Sequence, residues 1–351
     1  MIIKKVEIEN YRNFDMASAE FSKFNVLIGK NGTGKSNFLN AMMLPLRGTT
    51  LNGKPFDPQK DKRKFKADTT ISVLSELSEE KGTNIIPGNS GNIAPELLYQ
   101  FLSKGDNNNL SIRINQTGTS EAPPNYKSSI LTPAGQQIEV QTPFSKNDLD
   151  LLYGTFIYPL ADSREMPEVF QPGMPKITSG FDFGNALLAM KLNFRDKYDN
   201  LIVAIKQISP EILDILVNLG QSNAWEIQFK ETNVSLMLNA QGISKGTREI
   251  VMMLIILEAA RKKSAILIEE PEVHLYPLAI KKLKQIMFQY IKDKQLQIII
   301  STHSLEFLQG LYPSQDKDVK IFEFDKKDGV SSPKELREEK EIDEMIKRMS
   351  R

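Results

Sequence analysis

The last third of the chain alternates between short apolar runs and segments whose apolar residues recur at helical spacing. The clearest run, at 265–268, is continuous, which is typical of a parallel strand that is buried on both faces. Strands that alternate with helices in this way indicate an α/β sheet with crossover connections. We predict strands at 265–268, 297–300 and 319–324, and helices at 248–260, 277–292 and 304–311.

The pattern before this region is less regular. From about 46 to 150 the chain is rich in glycine, proline, asparagine, serine, threonine and lysine, so we expect an irregular, partly β insertion there. Strand-like patterns are predicted at 1–9, 19–28, 110–114, 137–140 and 151–158. Helix-like patterns are predicted at 36–44, from 185 to about 219 with a new helix starting near Ser209-Pro210, and at 334–351, with a hairpin at 225–238.

Residues 29–36 read Gly-Lys-Asn-Gly-Thr-Gly-Lys-Ser, a complete G-x-x-x-x-G-K-[ST] phosphate loop between an apolar run and a helix-like stretch. Its glycines let the backbone curl so that successive amides face an anion. Lys35 is expected to reach the β- and γ-phosphates, and Ser36 to place its hydroxyl on Mg²⁺. We therefore predict binding of a nucleoside triphosphate with magnesium; the alternative is a glycine-rich turn that binds nothing. The residues expected at the nucleotide are Gly29, Lys30, Asn31, Gly32, Thr33, Gly34, Lys35, Ser36 and Asn37.

Two carboxylates follow the strand predicted at 265–268, in the segment Glu269-Glu270-Pro271-Glu272. Because successive strand residues face opposite ways, Glu269 and Glu270 should take different roles. We assign Glu269 to the magnesium ion and Glu270 to the water that attacks the γ-phosphorus. The alternative is a pair of surface charges that opens a loop.

His303 follows the strand predicted at 297–300 and is one of two histidines in the chain. An imidazole at that position can hydrogen-bond the γ-phosphate and the attacking water, so it can sense which nucleotide is bound. Otherwise it is a satisfied core or surface histidine. We assign catalytic roles to Lys35, Glu270 and His303. Ser244 and Gly246 stand before an apolar helix, where a serine and a glycine at a helix N-terminus make an anion site.

This ordered set of motifs resembles the ABC-type ATPases. More narrowly, it is similar to the branch that includes the structural-maintenance-of-chromosomes (SMC), RecF and overcoming-lysogenization-defect (OLD) families, AAA-type ATPases of DNA repair and phage defence. Three segments carry the narrower resemblance. Ile8–Phe14 is similar to the first hairpin of that branch, Gly180–Asn185 to its lid-helix entry, and Glu270–Pro277 to its extended Walker B segment. The resemblance covers about half of the chain and does not include 46–150.

The resemblance implies a P-loop NTPase of the ABC-ATPase head type, with a mixed N-terminal β subdomain, a parallel core sheet and a helical lid. The implied parts are an N-terminal lobe at 1–45, an insertion at 46–150, a strand and lid at 151–240 and a C-terminal lobe at 241–351. The resemblance places Arg12 near the nucleotide. It also implies that two heads sandwich two ATP molecules, with Ser244 and Gly246 acting in trans. The family usually has aspartate where this chain has Glu269, so hydrolysis is expected to be slow.

Composition limits the classes of partner. Lysine and arginine number 45 against 44 acidic residues, so any DNA binding has to come from a local patch. The chain has no cysteines, which excludes disulfide scaffolds and cysteine-ligated zinc and fits a reducing compartment. Its first residues do not resemble a signal peptide, and no apolar run approaches the roughly 20 residues of a membrane span. We expect a soluble, cytoplasmic protein that does not engage a membrane.

Three outputs of the ATPase stay open. One is an ATP-dependent homodimer that senses duplex DNA in repair or antiphage defence, with the basic stretch Lys60–Lys66 contacting phosphates or forming only a solvated, flexible loop. Another is an ATP-gated scaffold that holds or releases a separate nuclease or toxin. About 45 residues follow the last motif, too few for a nuclease domain of usual size, so we expect any cleavage to come from a partner. The third is the nucleotide-binding subunit of a transporter.

Overall fold

The strands that the structure describes form three sheets. The computed structural model describes residues 2–47, 50–52, 54, 56–63, 68–76, 96–104, 109–117, 127–131, 137–141, 157–160, 169–170, 183–219 and 225–349. In chain order the strands are β1 (Ile2–Tyr11), β2 (Phe14–Glu20), β3 (Phe24–Ile28), β4 (Thr69–Glu76), β5 (Glu96–Lys104), β6 (Asn109–Thr117), β7 (Lys127–Leu131), β8 (Gln137–Gln141), β9 (Ile157–Leu160), β10 (Val169–Phe170), β11 (Ile212–Leu219), β12 (Trp225–Glu231), β13 (Leu238–Asn239), β14 (Ala265–Glu269), β15 (Gln297–Thr302), β16 (Val319–Lys327) and β17 (Val330–Leu336). The helices are α1 (Lys35–Arg47), α2 (Pro58–Asp61), α3 (Phe183–Asn193), α4 (Arg195–Ile208), α5 (Lys245–Ala259), α6 (Pro277–Lys294) and α7 (Glu339–Met349), with a 3-10 turn at Leu305–Phe307.

A six-stranded core sheet carries the predicted motifs. Its strand order is β17-β16-β3-β15-β14-β9, and all neighbouring pairs are parallel except β16 with β17. Strands β3, β14 and β15 are buried along their whole length. Because the carboxyl ends of parallel strands share one edge of a sheet, the loops that follow these three strands meet there.

Two hydrophobic cores cover the two faces of this sheet. Alternate residues of β14 divide between them, since Ile266 and Ile268 join one core and Leu267 joins the other. Helices α3, α4, α5 and α6 pack in the first core, and α1 packs with β1 and β2 in the second. This double burial explains why β14 reads as an uninterrupted apolar run.

The remaining described strands form two further sheets. The larger has seven strands in the order β2-β1-β4-β5-β6-β8-β7, and the smaller has the order β10-β12-β11 with β13 paired to β12. Gln297 joins the larger sheet to the core sheet. Its Oε1 accepts a hydrogen bond from Ile3 N at 2.8 Å, and its Nε2 donates to Ile3 O at 2.7 Å and to Ser22 O at 2.8 Å. A fully buried amide thus fixes the start of β15 against β1.

The alternation of strands and helices predicted for the last third of the chain is confirmed, but two predicted helices are wrong. The segment 304–311 contains only the 3-10 turn at Leu305–Phe307. After Ser209 the chain forms β11 rather than a helix, because its apolar residues pair with β12 and are buried there. The tail also differs from the prediction, since β17 continues to Leu336 and α7 begins only at Glu339.

The single strand predicted at 19–28 is also wrong, because the chain turns between β2 and β3 and enters a different sheet. Asn25 stabilises that turn: its Oδ1 accepts from Ser22 N and its Nδ2 donates to Ser22 O, both at 2.8 Å. Three predicted features fall wholly or mainly outside the described residues: the start of the strand at 151–158, the lid entry at 180–182 and the end of the basic stretch at 64–66. Among the described helices, none has the length and apolar character that crossing a membrane requires.

Candidate nucleotide-binding site

The phosphate loop connects the end of β3 to the start of α1, as its motif predicts. Gly32 and Gly34 have φ angles of 79° and 104°, a backbone conformation that favours glycine. A Cβ on Gly34 would lie 2.4 Å from Nδ2 of Asn13, and a Cβ on Gly29 would lie 2.4 Å from the carbonyl oxygen of Phe324. The loop therefore packs closely against the β1–β2 turn and β16, and side chains at these two positions would displace it.

The side chain of Lys35 folds back onto the phosphate loop and bonds to its backbone. Its Nζ donates to the carbonyl oxygens of Gly29 at 2.7 Å and Lys30 at 3.1 Å, and the residue is only 5% exposed. Burial lowers the pKa of Lys35 from its usual value, while nearby carboxylates, first that of Glu270 and then those of Glu272 and Glu269, act in the opposite direction. The structure thus brings the lysine of the phosphate loop and the carboxylates after β14 into one electrostatic site.

The carboxylates after β14 differ in surroundings. Glu269 is the last residue of the strand, is buried, and pairs in register with Ser301 of β15. Glu270 has φ of 45°, its backbone N donates to Ser301 O at 2.8 Å, and its side chain is 26% exposed. The chain turns sharply between them, so one carboxylate is enclosed while the other reaches the open edge of the sheet.

His303 lies beside Glu270, directly after β15. Its Nδ1 is 3.5 Å from Oε1 of Glu270 and also 3.5 Å from Oε1 of Glu272, which is buried. Sequence reasoning assigned no role to Glu272. The only signal was a third carboxylate in the same segment, and its contact with His303 depends on the pairing of β14 with β15.

The oxygen donors fit a magnesium ion. Ser36 offers a hydroxyl at the start of α1, and Glu269 offers a buried carboxylate within electrostatic reach of Lys35. Magnesium at a nucleotide site is usually held by one or two protein oxygens, with phosphate oxygens and water as the remaining ligands. Among the described residues, no group of three or more histidine, cysteine or acidic side chains forms a metal cage.

Arg12 is held by other side chains in this structure. Its Nε donates to Oδ1 of Asp61 at 2.8 Å, and one terminal nitrogen donates to Oδ1 of Asn37 at 2.7 Å. Asn37 in turn donates to Oδ1 of Asn13 at 2.6 Å. Because Asn37 directly follows Ser36, this network links the β1–β2 turn and α2 to the start of α1. Sequence reasoning missed Asp61 and Asn13.

Ser244 and Gly246 lie at the N-terminus of α5, and both have contacts within this chain. The Ser244 hydroxyl accepts from Thr247 N at 3.1 Å, so it caps the helix. A Cβ on Gly246 would lie 2.6 Å from the carbonyl oxygen of His274, in the loop after β14. Within the described part of the chain, no hydrogen bond or ion pair joins either residue to the phosphate loop.

The basic stretch Lys60–Lys66 is largely anchored where it is described. Asp61 and Lys62 are buried, and Arg63 pairs with Asp15 of β2 through its Nε. A solvated, flexible loop is therefore the wrong description of residues 61–63. Their charges are engaged in packing the stretch against the seven-stranded sheet, which also reduces the positive surface available to DNA.

Two sequence families match the chain. Residues 1–163 match the family described as "AAA ATPase domain", and residues 139–309 match the family described as "AAA domain, putative AbiEii toxin, Type IV TA system". Together the matches reach from the first strand to the segment that contains His303.

Two similar proteins are OLD nucleases. The Old nuclease of Escherichia phage P2 is 22% identical over 88% of this chain and 57% of its own length, and the OLD nuclease of Thermus scotoductus is 23% identical over 86% and 59%. The chain therefore spans less than two thirds of these relatives. The DNA replication and repair protein RecF of Phocaeicola vulgatus is 51% identical over 43 residues, 12% of each chain.

Solved structures of SMC heads have a similar fold. The Smc head domain with an extended coiled coil bound to the C-terminal domain of ScpA, from Pyrococcus furiosus, has a TM-score of 0.64 at 13% identity over all of both chains. The SmcHead bound to the C-winged helix domain of ScpA has a TM-score of 0.62 at 16% identity, over 97% of this chain and 100% of that one. The predicted P-loop ATPase head fold is confirmed. The chain thus matches two AAA-family ATPase domain models, is homologous to OLD nuclease and RecF, and has the fold of the SMC heads.

Proposed function

We propose that this protein binds ATP with magnesium at the carboxyl ends of β3, β14 and β15 and hydrolyses it slowly. One observation carries the proposal: Lys35, Glu270 and His303, which are distant in sequence, belong to one site. Glu270 acts electrostatically on Lys35, and its Oε1 lies 3.5 Å from Nδ1 of His303. A lysine, a partly exposed carboxylate and an imidazole at a phosphate loop are the groups that phosphoryl transfer to water uses.

Each group has a distinct task in this proposal. Lys35 leaves the loop carbonyls to contact the β- and γ-phosphates, and Ser36 and Glu269 hold magnesium, which when bound neutralises charge on the phosphate oxygens. Glu270 accepts the proton of the attacking water. His303 donates a hydrogen bond to the γ-phosphate and thereby reports its presence.

We further propose that two copies associate head to head around ATP. Ser244 and Gly246 form a helix N-terminus, which attracts anions, yet they do not contact the phosphate loop of their own chain among the described contacts. A second copy would supply a phosphate for them. The relatives of the SMC, RecF and OLD type support this arrangement by resemblance of fold and motif.

The output we favour is action at DNA, in repair or antiphage defence. The names of the relatives, OLD nuclease and DNA replication and repair protein RecF, support it. A second candidate output is control of a separate nuclease or toxin without direct DNA binding. It is supported by the toxin–antitoxin description of the family that matches residues 139–309.

Light scattering with and without ATP and magnesium, beside a steady-state ATPase assay, tests the proposal. Wild type should associate on ATP and dissociate as ATP is consumed, and E270Q should stay associated with turnover reduced by about 10²–10⁴-fold. K35A is the matched control and should neither bind ATP nor associate. Unchanged turnover in E270Q would contradict the role of Glu270.

A second series with duplex DNA separates the outputs. Association that DNA stabilises further would support direct action at DNA. Association that requires ATP but is indifferent to DNA would favour the second output. Association that needs neither ATP nor DNA would contradict the ATP-dependent dimer.

A further inference from the structure

Glu272 connects the loop after β14 to the loop after β15. Its Oε1 accepts a hydrogen bond from Oγ1 of Thr302 at 2.6 Å and another from the backbone N of His303 at 3.0 Å. Oγ1 of Thr302 accepts in turn from Ser304 N at 2.9 Å. One carboxylate oxygen and one hydroxyl therefore hold the backbone on both sides of His303.

The burial of Glu272 is costly for stability. Its side chain is 7% exposed, and its second oxygen, Oε2, is buried with no hydrogen-bond partner among the described residues. A buried carboxylate with one unsatisfied oxygen destabilises the folded state compared with an apolar residue of similar size. An unsatisfied group of this kind calls for a reason other than packing, and the groups that Glu272 contacts suggest one.

The imidazole of His303 lies near two carboxylates that differ in solvent exposure and in hydrogen bonding. Its Nδ1 is 3.5 Å from Oε1 of Glu270 and 3.5 Å from Oε1 of Glu272. Glu270 is partly exposed, whereas Glu272 is enclosed and already bonded to the backbone of His303. Glu272 is thus the fixed side of this contact.

We propose that Glu272 is a positioning residue that sets the direction of the His303 imidazole relative to Glu270. The inference deepens the proposed ATPase and rests on it for its kinetic consequence. Glu272 does not contact substrate; it acts through the backbone and ring of His303. The feature that matters is the reach of its oxygen, not its charge, because both hydrogen bonds end on Oε1.

Two conservative substitutions separate reach from charge. E272Q keeps an acceptor oxygen at the same distance and removes the charge, while E272D keeps the charge and withdraws the oxygen by one methylene. We expect E272Q to stay within about threefold of wild-type kcat and E272D to fall by about 10- to 100-fold, with little change in KM. The opposite order, or a change confined to KM, would overturn the proposal.

A double variant tests whether Glu272 acts through His303. If it does, E272D combined with H303A should turn over ATP no more slowly than H303A alone, because the ring that Glu272 positions is already absent. If the two losses multiply instead, Glu272 has an independent role and the proposal fails. We expect the melting temperature of E272D to lie within a few degrees of wild type. If it falls further, loss of activity could reflect unfolding, and histidine NMR then decides the role of Glu272.

Histidine NMR in the absence of nucleotide gives a readout that does not depend on ATPase activity. The chain has two histidines, His274 and His303, so ¹⁵N-histidine labelling gives two imidazoles, and H303A assigns them. E272D should shift the His303 ring signals and leave those of His274 unchanged, and E272Q should perturb them less. If wild type does not hydrolyse ATP, the proposed function fails, yet this result still decides the role of Glu272. An unmoved His303 signal in E272D would overturn it.

Discussion

The guanidinium of Arg12 is bound by a buried carboxylate, with 2.8 Å between Nε and Oδ1 of Asp61, and the backbone N of Arg12 also donates to the carbonyl oxygen of Asp61 at 2.6 Å. Arg12 has a φ of 47°, a conformation uncommon for residues other than glycine. These contacts hold the β1–β2 turn against α2. The residue that the family resemblance places near the nucleotide is therefore also a structural link between the phosphate-loop helix and the segment that leads into the seven-stranded sheet.

Arg12→Ala should destabilise the protein more than the loss of an exposed ion pair would. The substitution leaves Oδ1 of a buried aspartate without its donor, and we expect a loss of about 1–3 kcal/mol in the free energy of unfolding by urea denaturation. Lys23→Ala is the control, because its pair with Asp318 is about half exposed and should contribute less than about 1 kcal/mol. Equal losses in the two variants would show that Asp61 does not depend on Arg12.

Lys35→Met should separate ATP binding from folding. Burial already opposes the charge of Lys35, but its Nζ also donates to the carbonyl oxygens of Gly29 and Lys30, which the substitution leaves without this donor. We expect the nucleotide-free protein to lose about 1–3 kcal/mol of stability and still fold, and the rise in melting temperature on adding ATP and magnesium to be lost. An ATP-induced shift that survives in this variant would contradict the role of the loop lysine.

The same lysine predicts a pH dependence. Because the pKa of Lys35 is lowered in the folded state, the unfolded chain binds more protons between that lowered pKa and the ordinary value of 10.5. Stability contributed by this position should therefore rise with pH across that window. The measurable quantity is the unfolding free energy of wild type minus that of Lys35→Met. This difference should become more positive as pH rises, because wild type gains stability relative to the variant. A flat difference would show that Lys35 titrates alike in both states.

The amino-acid sequence alone was enough to locate the buried strands of the core sheet and the functional side chains that directly follow them. A continuous apolar run predicts β14, and a complete phosphate-loop motif predicts where Lys35 lies, because local residue order determines both. Glu272 and Asp61 could not be found in this way, since their partners are 31 and 49 residues away in sequence. Such contacts depend on strand register and on the path of an insertion, which periodicity does not encode. The helix predicted at 304–311 failed for a related reason: its residues contact α6 instead of propagating a helix of their own.

Gly246→Ala should disturb the contact between α5 and the loop after β14 within a single chain. The added methyl would lie 2.6 Å from the carbonyl oxygen of His274, a backbone atom that can yield only if the loop or the helix shifts. We expect a loss of about 1–3 kcal/mol of stability by thermal denaturation, along with weaker ATP-dependent association. Gly242→Ala is the control, because its nearest neighbour is the Cβ of Leu238 at 3.2 Å. If Gly246→Ala lowers association but leaves the melting temperature unchanged, the glycine acts only in trans.

Lys284 of α6 stabilises the turn that follows His303. Its buried Nζ donates to the carbonyl oxygens of Glu306 and Phe307 at 3.4 Å, and more closely to that of Gln309. Burial lowers the pKa of Lys284, and the charge of Lys281 lowers it further. The cost of that buried ammonium is offset by carbonyls that the 3-10 turn leaves without helical partners.

Lys284→Met should therefore loosen the segment 304–311 while leaving the phosphate loop intact. Removing the donor leaves buried carbonyls unsatisfied, which costs about 1–3 kcal/mol, and hydrogen exchange of the backbone amides in that segment should accelerate. Lys281→Met is the matched control on the same helix: Lys281 is exposed, and its removal takes away a like charge without touching the carbonyls. Because the segment starts directly after His303, we expect Lys284→Met to lower ATP turnover with ATP affinity kept. Faster exchange throughout α6, rather than in the segment 304–311 alone, would instead show that Lys284 stabilises the helix and not the turn that follows His303.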